Sequence, residues 1–378
     1  MMARWKRAPR TAGKPSKRPS TRPAGKQARG ARNPHGELLR DGYCLEVMMG
    51  HLNWGILGTG RIAGKFARGL NSTEKATLLA VGSRKAGKAE GFAKEHHVAR
   101  AYGSYEEMLA DPEVEAVYIS LPNHLHGEWS IKCAEAGKHI LCEKPAMVNA
   151  GELERVLGVI KKKDVFWMEA FMYRCHPQWG KVKEIIASGA IGQVRVLESA
   201  FSFNMGPAYQ DFRLHNELAG GGLMDVGVYC VSFSRLIAGE EPSECRAVAH
   251  LGGVSRVDEY MAGLLKFPSG MVASFMSGVE CDLPSRGAIY GSEGSITLSA
   301  PWSLGAADTE VIVSAKSKTE TIPVKTGGDI YALEALHVAE HVEARQGPAM
   351  SWADSLGQAR AVDALRASMG LAWAFEKG

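Results

Sequence analysis

Gly58-Thr59-Gly60-Arg61-Ile62-Ala63 spells G-x-G-x-x-A between the apolar run NWGIL, ending at Leu57, and a stretch whose apolar residues recur at Ile62, Phe66 and Leu70. A strand feeding a helix through such a turn makes a cradle for a pyrophosphate. Gly58 permits the tight turn, Gly60 lets phosphates reach the backbone without meeting a Cβ, and Ala63 keeps the helix close to the sheet. The free amides and dipole at the helix start favour the anion, with Thr59, Arg61 and Ile62 beside it. The next apolar run, TLLAVG, ends in Ser83-Arg84-Lys85. A chain built for NAD usually presents Asp or Glu here to the ribose hydroxyls. No carboxylate stands here to repel a 2′-phosphate, to which Ser83 can donate and which Arg84 can pair with while stacking on adenine. The expected cofactor is therefore NADP(H), with NAD(H) the second choice.

Two further strings fall where a doubly wound sheet holds its ligands, at strand carboxyl ends near the crevice. One is Leu121-Pro122-Asn123-His124-Leu125-His126 and the other Glu143-Lys144-Pro145. A third follows three glycines, Gly220 to Gly222, which let backbone approach something closely: Leu223-Met224-Asp225-Val226-Gly227-Val228-Tyr229. On a helix, Asp225 and Tyr229 share a face.

On these strings the sequence resembles the glucose-fructose oxidoreductase, inositol dehydrogenase and rhizopine-catabolism family (Gfo/Idh/MocA), from about Leu52 to the C-terminus. The resemblance implies that Lys144 points at the reacting carbon and that the helix after Gly222 carries the acid–base group. Many members have histidine where this chain has Tyr229. The tyrosine, with MEAFMYRCHPQ at 168 to 178, is similar to the branch of dimeric dihydrodiol dehydrogenases and NADP-dependent xylose dehydrogenases. The implied protein is an NADP(H)-dependent oxidoreductase acting on a small sugar, polyol or cyclic diol, and a dimer or higher homo-oligomer packed through its C-terminal sheet.

The chemistry of the residues agrees with that reading. Oxidising an alcohol needs a base for the hydroxyl proton while a hydride leaves, and reduction needs the same group as an acid. A phenol of pKa ~10 is a poor base near neutrality unless a nearby ammonium stabilises the phenolate. Lys144 is the candidate cation, expected to lower the Tyr229 pKa and to bond the developing alkoxide. Asp225 would orient a substrate hydroxyl or that ammonium. Leu121, Asn123, His126 and Glu143 are expected on the cofactor side, and Arg174 and His176 on the substrate side. Without an H-E-x-x-H or a paired Cys/His string, no metal is expected. A non-catalytic cofactor-binding sensor or scaffold is the alternative from another class. An anhydro-sugar reductase or an oxidoreductase that keeps its cofactor bound is the rival within the class.

These residues must be positioned by two kinds of element. From Leu52 the pattern of apolar run, glycine turn and helix repeats in the rhythm of parallel strands with crossover helices, predicting a dinucleotide-binding domain over residues 51 to 172. Ser104-Tyr105-Glu106-Glu107 reads as a capping box opening a short helix. Beyond His176 one or two helices give way to long runs of period-two alternation, so residues 173 to 378 are expected to form an α+β domain with a large, mostly antiparallel open sheet. Hairpins are expected at Pro268-Ser269-Gly270 and Ser292-Glu293-Gly294, and closing helices over Asp329–Gln346 and Ser351–Phe375.

Of 378 residues, 45% are hydrophobic and 23% charged, an ordinary globular balance with room for two cores. The net charge of +4 is unevenly held: residues 1 to 50 carry 12 Lys and Arg against 3 Asp and Glu, while the remainder is mildly acidic. No nucleic-acid partner is expected for the folded body. The basic arm is rich in Lys, Arg, Pro, Gly and Ser through about Pro34, with almost no large apolar residues, and is expected to be disordered. Met48 and Met49 precede the first strand, so a later start, a functional arm and a targeting segment are the three readings of it. No apolar run suggests a membrane span, and seven scattered cysteines read as reduced thiols, so a cytoplasmic location is expected.

Overall fold

The computed structural model describes residues 50–206 and 209–376; the basic arm, save Gly50, lies outside them. In the first half, short runs buried on both faces can only be strands of a covered sheet. Six form: β1 Asn53–Leu57, β2 Thr77–Gly82, β3 Arg100–Tyr102, β4 Ala116–Ile119, β5 His139–Glu143 and β6 Trp167–Ala170. All neighbours are parallel, in the order β3-β2-β1-β4-β5-β6. The order in which strands are added switches sides between β1 and β4, which opens a crevice at their carboxyl ends. Gly58 and the 121–126 string both emerge there. The sequence reading omitted β6, which is four residues long and hidden in the MEAFMYR string.

The crossovers are α1 Arg61–Asn71, α2 Ala86–His96, α3 Tyr105–Leu109, α4 His126–Glu135 and α5 Ala150–Lys163. Ala63 and Ala67 on α1 are fully buried, which is how that helix lies close to the sheet. Ser104 caps α3 as expected, its Oγ accepting from the Glu107 amide at 3.1 Å.

After α6 Pro177–Ala187, eight strands form one sheet: β7 Val194–Ser202, β8 Glu244–Leu251, β9 Asp258–Lys266, β10 Val272–Gly278, β11 Arg286–Gly291, β12 Gly294–Leu298, β13 Thr309–Ala315 and β14 Lys318–Val324. Their order is β14-β13-β12-β11-β7-β10-β9-β8, with β7 and β10 the one parallel pair. Both expected hairpins form, β9 to β10 and β11 to β12. Alternate residues of β9 are buried and exposed, the mark of a sheet with one covered face. The other face shows Val248, Tyr260, Leu264, Val272 and Tyr290 to solvent. A concavity of about 340 Å³ lies there, lined by Glu198, Arg246, Leu264 and Phe275 among others; neither Lys144 nor Tyr229 borders it.

Leu223–Gly227 is a π-helical turn that runs into α7 Val228–Ala238. The segment Asn216–Ala238 is apolar and long enough to cross a membrane, yet 78% of its most apolar stretch is buried inside the fold, as the central helix of a core. The closing helices, α8 Ile330–His341 and α9 Trp352–Ser368, are shorter than expected. Gly370, at φ +74°, turns the chain soon after α9 ends.

Candidate active site

The cradle is built as the motif requires. Gly58 has φ +105°, and a Cβ there would meet Ser120 Oγ at 3.0 Å. Gly60 is exposed, and a Cβ on it would find nothing within 4 Å, so no packing within the protein demands glycine at that position. The open space lies where a phosphate would approach the start of α1, which has no side-chain cap. Thr59 and Ile62 are half-buried and Arg61 is exposed beside it. At the end of β2, Ser83 is buried and Arg84 exposed, and no acidic side chain follows Gly82. The residues present therefore fit a dinucleotide with a free edge for a 2′-phosphate.

Across the crevice, the end of β5 meets the π turn. Lys144 Nζ donates to the Asp225 carbonyl at 2.6 Å and to Asp225 Oδ1 at 3.2 Å. The same ammonium lies 5.1 Å from the centre of the Tyr229 ring. Arg213 Nε donates to Asp225 Oδ2 at 2.6 Å. Burial alone would raise the Asp225 pKa, but the Lys144 and Arg213 charges hold it below the usual carboxylate range. Asp225 thus stays ionised, clamped between two cations. Tyr229 is 5% exposed, with its ring among Phe171, Tyr173, Phe201 and Trp302 and its hydroxyl donating to Met172 Sδ at 3.4 Å.

One expectation reverses here. Lys144 faces the Tyr229 ring and directs two of its three donors to Asp225, so it does not hold the phenol down. Burial first, and then the acidic groups of Glu143, Tyr331, Asp225 and Glu334 around it, push the phenol well above its ordinary range. In this state Tyr229 is a neutral acid.

Residues 52–171 match the oxidoreductase family with an NAD-binding Rossmann fold, Gfo/Idh/MocA, and residues 179–297 match its C-terminal domain. A mouse trans-1,2-dihydrobenzene-1,2-diol dehydrogenase is 32% identical over 86% of this chain and 99% of its own length. The chain belongs to the Gfo/Idh/MocA family. It is an oxidoreductase with a nicotinamide-dinucleotide domain, as the sequence resemblance implied. A D-xylose 1-dehydrogenase (NADP(+)) of Haloferax volcanii is 34% identical over 82% of this chain and 95% of the relative. A 3-ketoreductase from Actinomadura kijaniata, solved with NADP and TDP-benzene, superimposes with a TM-score of 0.78 at 28% identity, over 84% of this chain and 98% of that one.

Several residues expected at the site are engaged by the protein's own atoms. His126 is fully buried, with Nδ1 2.8 Å from the Pro145 carbonyl and Nε2 2.8 Å from the Leu121 carbonyl. It fastens the loop after β4 to the loop after β5. Leu121, also buried, packs beneath Gly58. Glu143 turns inward and accepts from the Tyr118 hydroxyl. Asn123 donates to the Ala219 carbonyl at 2.8 Å, tying the first sheet's loop to the segment before the glycines. Arg174 is buried, its guanidinium spent on Ser232, the Ala349 carbonyl and Asp354. His176 caps α6, with Nδ1 accepting from the Gln178 amide at 3.1 Å. Arg174 thus answers groups of the protein itself, whereas His176 Nε2, also buried, has no hydrogen-bond partner.

Arg213 escaped the sequence reading because the stretch from Phe201 to Glu217 offers no periodicity or motif. A second omission is His337-x-x-Glu340-His341, the reverse of the order searched for, with three donor atoms within 4.8 Å of one another. His337 Nε2 already accepts from the Ala349 amide at 3.3 Å, so the lone pair of that nitrogen is engaged.

Proposed function

We propose that this protein moves a hydride between NADP(H) and a CH–OH or C=O carbon of a small sugar, polyol or cyclic diol, with Tyr229 as general acid and base and Lys144 assisting. The observation that carries the reading is the clustering of Lys144, Asp225 and Tyr229 where the end of β5 faces the π turn, on the far side of the crevice from the open cradle at Gly60. The bound nicotinamide supplies or accepts the hydride. Asp225 fixes the direction of the Lys144 ammonium, which is left with a donor for a substrate oxygen as negative charge develops on it. Tyr229, held neutral, gives its proton to that oxygen in reduction and takes it back in oxidation. Lys144 and Asp225 keep 13% of their side-chain surface exposed, enough to touch a ligand at the cleft edge.

The names of the relatives, a diol dehydrogenase, an NADP-dependent xylose dehydrogenase and a 3-ketoreductase seen with NADP, support the substrate and cofactor classes. Ser83 and Arg84 would hold the 2′-phosphate. The apolar outer face of the eight-stranded sheet would pack on a second copy. Six free cysteines among the described residues suit a reducing, cytoplasmic setting. The deciding experiment incubates purified protein with NADP+ or NAD+ and a panel of aldoses, cyclitols and diols, following absorbance of the reduced nicotinamide. Reduction of NADP+ by at least one class is expected. Activity with NAD+ alone would overturn the cofactor assignment, and silence across the panel with both cofactors would favour the non-catalytic alternative.

A further inference from the structure

We propose that Asp258 is a positioning residue: its buried carboxyl fixes the start of the π turn that carries Asp225, and through Asp225 it sets the place of the Lys144 ammonium. The argument begins with the glycine triplet. Gly221 has φ +113°, and a Cβ on it would lie 2.2 Å from Asp258 Oδ1. A Cβ on Gly222 would lie 2.9 Å from Gly278 Cα and 3.3 Å from Asp258 Oδ2. One on Gly220 would lie 2.4 Å from the Arg213 carbonyl oxygen. The close approach that three glycines foretell is therefore to the protein's own atoms, with the Asp258 carboxyl lodged against two of the three.

Asp258 opens β9 and is wholly buried. Its Oδ2 accepts from the Leu223 amide at 2.5 Å, while Oδ1 has no hydrogen-bond partner. The Leu223 amide is among the first of the helix, which lack partners within it, and Gly222 brings no side chain to cap it. A π turn holds one more residue than an α turn, so its register must be set from outside, and this bond is the external fix. Two residues on, the Asp225 carbonyl and carboxylate both accept from Lys144 Nζ. Any slip of the turn moves both acceptors together. Burial raises the Asp258 pKa to about 7, and either protonation state retains an oxygen able to accept from Leu223.

The inference rests on the reading of Lys144 and Tyr229 as the reacting pair, so its test is made independent of turnover. The full chain is treated with acetic anhydride, and acetylation of each lysine is followed by mass spectrometry, with hydrogen exchange measured over residues 220–228. Asp258→Leu keeps volume but loses the acceptor, Asp258→Asn keeps an acceptor, and Gly221→Ala pushes the carboxyl aside without removing it. Asp258→Leu and Gly221→Ala should each label Lys144 and exchange residues 220–228 about 5-fold or more faster than wild type, with other lysines unchanged and Asp258→Asn within about 2-fold. Unchanged labelling of Lys144 in the first two variants, or faster labelling of all lysines alike, would overturn the proposal. Retained turnover in Lys144→Met would instead overturn the catalytic reading and leave the labelling result standing.

Discussion

Replacing Tyr229 with phenylalanine removes one oxygen from a ring that is otherwise held by aromatic neighbours. Phe171 and Phe201 lie at ring-centre distances of 5.4 and 5.3 Å, and Trp302 at 6.0 Å, and all of these contacts survive the substitution. The hydroxyl makes a single weak bond, to Met172 Sδ at 3.4 Å. Its loss costs at most about 1 kcal/mol, the net worth of an ordinary neutral hydrogen bond. The cation facing the ring is indifferent to the hydroxyl, because Lys144 Nζ is anchored by Asp225. Folding and cofactor affinity should therefore be close to wild type. Turnover should not. Proton transfer from a positioned group is worth roughly 10²–10⁴ in rate, or about 3–5 kcal/mol of barrier. The two magnitudes separate cleanly, and the assay is kcat by absorbance of reduced nicotinamide beside thermal unfolding and cofactor fluorescence titration. Because the phenol is pushed upward, carbonyl reduction should be nearly flat through the neutral range, while alcohol oxidation should climb with pH into the alkaline range. A Tyr229→Phe enzyme within about 3-fold of wild-type kcat would refute the argument, since no acid–base role has so small an effect.

Three further outcomes follow from the same geometry. Arg84→Ala should weaken NADP+ binding about 10-fold or more, the worth of one charge-assisted pair, and leave NAD+ nearly unchanged; equal losses for both cofactors in calorimetric titration would remove Arg84 from the 2′-phosphate. Arg174→Met should lower stability by about 2 kcal/mol, because it leaves the buried Ser232 acceptors unanswered and takes one of two arginines from Asp354, which keeps Arg235, while KM for substrate holds; a KM change without a drop in melting temperature would restore it to the pocket. Burial raises Glu169 to about 7, above the value of about 4.3 expected in the unfolded chain. Its contribution to stability is then complete below pH ~4 and lost as pH rises through 7. Glu169→Gln should flatten the fall in melting temperature across that window, and an unaltered slope would count against the buried charge.

The first sheet was open to sequence reasoning because each strand is a short apolar run followed by its own turn signal, and Gly58 and Gly60 mark the one turn that must come close to a ligand. Lys144, Asp225 and Tyr229 were readable for a similar reason: each sits beside a fixed local landmark, Pro145 or the glycine triplet. Residue type and location near a strand end do not, however, say which way a side chain turns. Asn123, His126, Arg174 and His176 have the polarity of ligand-binding groups and the burial of structural ones, and each is claimed by a backbone carbonyl, a helix start or a carboxylate far away in the chain. Arg213 is the converse case, since its partner Asp225 is on another element and its own surroundings carry no pattern.

The phenol shows most plainly what spacing omits. Asp225 and Tyr229 are four residues apart, and the sequence suggests one cation serving both. The π turn between Leu223 and Gly227 widens that helical step, and the ammonium goes to the carboxylate, the stronger acceptor. What remains for Tyr229 is a ring-face contact and a buried setting with the acidic groups Glu143 and Asp225 near it, which keeps the proton on the phenol. A group so placed gives up its proton only when something else in the cleft calls for it. In the proposed reaction an alkoxide forming beside it would meet that condition, so the resting protein would keep the proposed acid loaded.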